Sequence, residues 1–91
     1  ESFVVTRGEI EDPAAFAEHM ADVIRRYDIL RLKGFAAVMG KPMRLTLQAV
    51  GPRIETYFDR PIAAGEARET KLVVIGQTGL NRVAIEAALI A

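Results

Sequence analysis

One histidine and no cysteine in 91 residues leave little chemistry to choose from. His19 follows Glu18 and stands three residues before Asp22, close enough on a helix to share a surface with it. A transition-metal site takes three or four such ligands. With no second histidine and no thiolate this set stops short, and His19 reads as a half-exposed residue beside an apolar stripe. The stretch from Gly34 to Pro42 has the outline of a phosphate-binding loop. That loop needs four residues between its glycines and a hydroxyl after its lysine to meet magnesium. Five residues separate Gly34 from Gly40, and Pro42 after Lys41 has neither hydroxyl nor amide hydrogen. The segment therefore predicts a hairpin turn.

Two candidates remain. Gly76-Gln77-Thr78-Gly79 sits between a strand and a helix start, where free amides can meet an anion. Two glycines that merely permit a sharp turn explain the same pattern. The second candidate is basic. Arg31, Lys33, Arg44 and Lys71 fall on the exposed positions of alternating strands, with Phe35 in register with Arg31 and Lys33. Such a face suits partner binding. It would also suit RNA if the chain were strongly basic, but a pI near 6.9 makes a poor phosphate binder. No Ser-His-Asp set can be assembled, so no catalytic residue is expected.

The elements that must position these residues are readable from periodicity. Ser2 to Arg7 predicts a first strand, closed by Gly8. Asp12-Pro13 predicts a helix start, since Asp caps free amides and Pro at the first position loses no bond. Phe16, Met20, Val23, Ile24 and Tyr27 then make one apolar stripe of an amphipathic helix. From Ile29 the period becomes two, Leu30 and Leu32 alternating with Arg31 and Lys33. After Gly40-Lys41-Pro42 the alternation resumes at Met43, Leu45, Leu47 and Ala49, which predicts an antiparallel pair. Arg53 to Phe58 predicts a shorter strand ending at Asp59-Arg60-Pro61, followed by a loop to Arg68. Thr70 to Gln77, with Leu72-Val73-Val74-Ile75 unbroken, reads as a central strand covered on both sides. Asn81 is placed to cap a last helix over Arg82 to Ile90. The order predicts an α+β fold of two layers, a mostly antiparallel four- or five-stranded sheet with two helices on one face.

Composition bounds the rest. Twelve basic and twelve acidic residues cancel, 51% of residues are hydrophobic and 26% charged, so this is an ordinary globular composition and not a disordered one. Charges interrupt every apolar run before it could span a bilayer, so no membrane partner is expected. The absence of cysteine fits a reducing, cytoplasmic setting. The neutral total hides a segregation: three cations face seven anions over residues 1–28, and six face two over residues 29–61. An acidic helical surface and a basic strand surface follow as the expectation.

Three ordered segments resemble a known family. They are Arg31-Leu32-Lys33-Gly34-Phe35; Lys41-Pro42-Met43-Arg44 through Val50-Gly51-Pro52-Arg53 and Tyr57-Phe58-Asp59-Arg60-Pro61; and Arg68-Glu69-Thr70-Lys71-Leu72-Val73-Val74-Ile75-Gly76-Gln77. Together they resemble the C-terminal domain of CobW-type proteins, and the likeness covers nearly the whole chain. The resemblance implies one domain over residues 1–91, excised from a longer chain with an N-terminal P-loop GTPase domain. It further implies a metallochaperone that uses GTP, Mg and a transition metal, cobalt or zinc. The middle segment looks nearer to the cobalamin-pathway members, which implies cobalt delivery. The family's phosphate loop and cysteine motif lie outside this chain, so no catalytic, cofactor or metal residue carries over, and the fragment itself is not expected to be an enzyme.

What remains is an interaction or coupling module, with Arg31, Lys33, Phe35, Arg44 and Lys71 as its expected partner-binding residues. The partners implied are the upstream GTPase domain in cis and a client metalloprotein or metal chelatase. The alternative is a stand-alone ligand-binding or regulatory domain that oligomerises through its sheet.

Overall fold

The computed structural model describes residues 1–91 and contains seven elements: β1 (Ser2–Arg7), α1 (Pro13–Tyr27), β2 (Arg31–Ala37), β3 (Met43–Val50), β4 (Arg53–Pro61), β5 (Thr70–Ile75) and α2 (Arg82–Ile90). The five strands form one sheet in the order β1-β5-β2-β3-β4, and every neighbouring pair is antiparallel. Both helices lie on the same face. The expected α+β, two-layer architecture is what the chain adopts.

Local chemistry explains the elements. Asp12 accepts the amides of Ala14 and Ala15, and Pro13 opens α1. At the far end Asp28 adopts a left-handed conformation and returns its amide to Ile24, while Arg25 and Arg26 oppose the negative end of the helix dipole. Phe16, Met20, Val23 and Ile24 are the buried residues of α1, as their spacing requires. Beneath them lie alternate residues of the strands: Phe3 and Val5, Leu32 and Ala36, Leu45, Leu47 and Ala49, Leu72 and Val74. The two buried residues of α2, Ile85 and Leu89, complete the same core. Asn81 caps α2 by accepting the amide of Ala84.

Four details depart from the sequence expectation. Leu30 precedes β2 and is half exposed, whereas Ile29 turns inward, so the alternation begins one residue later than its apolar residues suggest. The fourth strand is longer than its apolar run, reaching Pro61 because a bulge at Asp59 lets the ladder resume at Arg60. β5 ends at Ile75 and is covered on one side only: Thr70, Leu72 and Val74 are buried while Lys71 is exposed and Val73 and Ile75 are half buried. His19 is half exposed as expected, but it is tied down. Its Nε2 donates to the Ala88 carbonyl, which can only accept, and so joins the two helices.

Gly34 in the middle of β2 has a separate reason to be glycine. A Cβ there would lie 1.9 Å from the Lys71 carbonyl oxygen of β5. Close approach of these two strands depends on the missing side chain.

Candidate interaction surface

The face of the sheet opposite the helices has no layer over it. Strand pairing arranges its side chains in rows across the molecule. One row runs Ile75, Arg31, Val50 and Arg53; the next runs Val4, Val73, Lys33, Gln48 and Glu55; a third runs Thr6, Lys71, Phe35, Thr46 and Tyr57. All five residues expected to bind a partner, Arg31, Lys33, Phe35, Arg44 and Lys71, lie on this one face. Around Gly34 the surface sinks into a shallow hollow of about 300 Å³, rimmed by Lys33, Phe35, Arg44, Gln48 and Val73.

The cations on this face are of two kinds, and the charge count alone did not separate them. Arg44 lies 4.9 Å from the Phe35 ring centre and donates through Nε and Nη2 to both oxygens of Asp59, the Nε bond measuring 3.1 Å. Those bonds hold the Asp59 carboxyl down to about 2 and raise Arg44 above its ordinary value. Lys71 reaches Glu69 at 3.5 Å. Arg60, opposite Arg44 in the ladder, forms a second bidentate pair with Glu66 that lowers Glu66 to about 2, helped by the Ala63 amide. Arg68 joins Glu9 at 2.9 Å and also donates to the carbonyls of Val38 and Lys41, pinning the hairpin turn. Arg31, Lys33 and Arg53, by contrast, form no ion pair.

The free cations sit among apolar neighbours. Val50 lies between Arg31 and Arg53 and is exposed, and Val4, half exposed, stands across Val73 from Lys33. One half of the face is therefore electrostatically closed within the chain, around Phe35, Arg44 and Asp59. The other half presents uncompensated charge over aliphatic surface. Sequence reasoning missed Arg53 as a member of this group, although its place directly after Gly51-Pro52 on an edge strand was the available signal.

The other candidates resolve differently. In the glycine loop after β5, the Leu80 amide donates to the Glu1 carboxylate at 2.8 Å, so this chain's own acid takes that donor. A groove of about 690 Å³ runs alongside, between Arg25 to Leu30 and Gln77 to Asn81. Gly34 to Pro42 is strand and turn, with Gly40 at φ +74°, and offers no cradle for phosphates. No three His, Cys, Asp or Glu side chains converge. The residues present do not fit a nucleotide or a metal ion. No helix is long and apolar enough to cross a membrane.

Comparison with known proteins defines the class. The family model described as "Cobalamin synthesis protein cobW C-terminal domain" matches residues 1–91, and the chain belongs to that family. Among curated relatives, a protein named zinc chaperone CobW from Sinorhizobium sp is 56% identical over 91 residues, all of this chain and 26% of the relative. Another zinc chaperone CobW, from Pseudomonas aeruginosa, is 54% identical over 84 residues, 92% of this chain and 22% of its own length. Among solved structures, a Zn(II)-bound triple mutant of the YjiA GTPase superposes with TM-score 0.79 at 30% identity, covering 97% of this chain and 28% of that one. The Zn(II)-bound YjiA GTPase from E. coli gives 0.73 at 27% identity with the same coverage. The chain thus spans about a quarter of the proteins it matches.

Proposed function

We propose that this chain is the C-terminal docking module of a longer, GTP-dependent zinc chaperone, and that it works by holding a protein partner on its open sheet face. Family membership and coverage of about a quarter of each relative support a module within a larger chain. Zinc is proposed as the metal, in place of the cobalt suggested by the resemblance, because the relatives above half identity are named zinc chaperones. Nucleotide and metal would be handled upstream, since the residues here fit neither.

The observation that carries the docking role is the patch of unpaired Arg31, Lys33 and Arg53 around exposed Val50, with Val4 exposed in the neighbouring row. Apolar surface supplies affinity and uncompensated charge supplies register and choice of partner. Arg44, Phe35 and Lys71 would frame the patch, the charges of Arg44 and Lys71 being answered within the chain. The upstream GTPase domain is the occupant proposed, because β1 begins beside the Ile75–Arg31 row and a tether entering there reaches the patch at high effective concentration. A client protein would compete for the same face.

The test is a titration of this chain with its upstream region as a separate polypeptide. An Arg31→Glu, Lys33→Glu double variant is expected to weaken binding about tenfold or more, or about 1.4 kcal/mol. Unchanged affinity would overturn this surface.

A further inference from the structure

We infer that β4 is a second interface, through which two copies of this chain pair edge to edge into one continuous antiparallel sheet. The strand is the outer member of the sheet, so one row of its backbone amides and carbonyls has no ladder partner. Proteins usually blunt such an edge. Here the blunting devices, the bulge at Asp59 and Pro61, sit together at one end. From Arg53 to Phe58 the edge is regular, carries no lysine and exposes an aromatic on each face: Tyr57 is 51% exposed and Phe58 44%.

The identity of the occupant follows from register. Two-fold pairing of antiparallel strands places one residue on the axis opposite its own copy and keeps both copies the same way up. Centring on Glu55 would set two carboxylates face to face. Centring on Tyr57 would set Glu55 against Asp59, again like charges. Centring on Ile54 runs at once into Pro52, which has no amide hydrogen to give. Centring on Thr56 avoids every conflict. Threonine meets threonine, Ile54 meets Phe58 twice on the helix side, and Glu55 meets Tyr57 twice on the open side. Ile54 already packs against the core, so this register extends the buried layer over the half-exposed Phe58. Arg53 falls diagonally beside Tyr57 of the other copy, where a cation suits an aromatic face.

The result is a ten-stranded sheet with four helices on one side and two docking patches merged on the other. A junction of about six residues per copy is small, so association in the micromolar range or weaker is expected.

Sedimentation equilibrium of this chain over a wide concentration range is the test. Dimer formation at high concentration is expected, and a monomer up to millimolar chain would overturn the inference. Thr56 is exposed, so Thr56→Lys and Thr56→Glu should fold normally while each sets like charges on the axis. Each variant alone should dimerise about tenfold more weakly, and their equimolar mixture should recover the wild-type constant through Lys–Glu pairs. Dimerisation indifferent to both substitutions, or weakened by both without recovery on mixing, overturns the Thr56-centred pairing. This outcome is independent of the Arg31 and Lys33 titration, because Thr56 lies on the helix side of the sheet.

Discussion

Leu72 and Val73 are neighbours in β5, yet they belong to surfaces assembled on opposite rules. Leu72 is fully buried under the helices, in a core that is apolar apart from Thr70 on the same strand. Val73 points the other way, half exposed between Val4 and Lys33. The covered face holds the molecule together by excluding water, and so tolerates little change. The open face contributes little to that core and is free to carry charge. Period-two alternation is the whole device: a step of one residue changes a side chain's task from cohesion to recognition.

Substitutions that set the two faces against each other should show effects of very different size. Leu72→Ala should cost about 2–5 kcal/mol, the range for emptying a core site, while Val73→Ala should cost about 1 kcal/mol or less. Urea midpoints of the two variants measure the ratio, and equal losses would mean the faces are not so distinct. Gly34→Ala comes next. Its new Cβ would meet the Lys71 carbonyl, and forcing β2 from β5 should cost about 1–3 kcal/mol or more.

A third contrast lies in the ion pairs. Asp59 and Glu66 have carboxyls lowered to about 2 in the folded chain, from ordinary values of 3.8 and 4.5. The stability they add is complete above those ordinary values and is lost as the pH falls toward 2. Thermal midpoints should therefore decline between pH 4.5 and 2, and Asp59→Asn should flatten part of that decline. An unaltered slope would show that the Arg44–Asp59 pair is not what holds this end of the sheet. The smallest effect is expected where function is proposed: the Arg31→Glu, Lys33→Glu pair should move stability by no more than about 0.5 kcal/mol. A large loss would transfer those residues from recognition to cohesion.

Much of this division could be read from the chain alone. The stripe from Phe16 to Tyr27 behind Asp12-Pro13, and the alternation through Leu45, Leu47 and Ala49, are short-range signals that burial then obeys. What escaped was set by partners distant in sequence. Arg44 looked free until the fold brought Asp59 against it from fifteen residues away. Asp59 itself interrupts the alternation of β4, because a bulge adds a residue without ending the strand. The unbroken Leu72–Ile75 run concealed a one-sided strand, since Val73 and Ile75 gain their partial cover from neighbours in the same sheet. His19 looked like a bystander because its acceptor, the Ala88 carbonyl, belongs to a helix 69 residues later.

The pairing of β1 with β5 has a consequence in time as well as space. Ser2 meets Ile75, and no strand between them can take its place, because β1 lies at the sheet's outer edge with β5 as its one neighbour. On a ribosome adding about 5–20 residues per second, the first strand waits about 4–15 s before its partner has been synthesised. During that interval Phe3, Val4 and Val5 are an unpaired apolar segment at the front of a growing domain. β2, β3 and β4, joined by short turns, can close without them. Assembly of this module is thus a late event gated by synthesis of its fifth strand, and the nascent chain is most exposed to misassociation just before it.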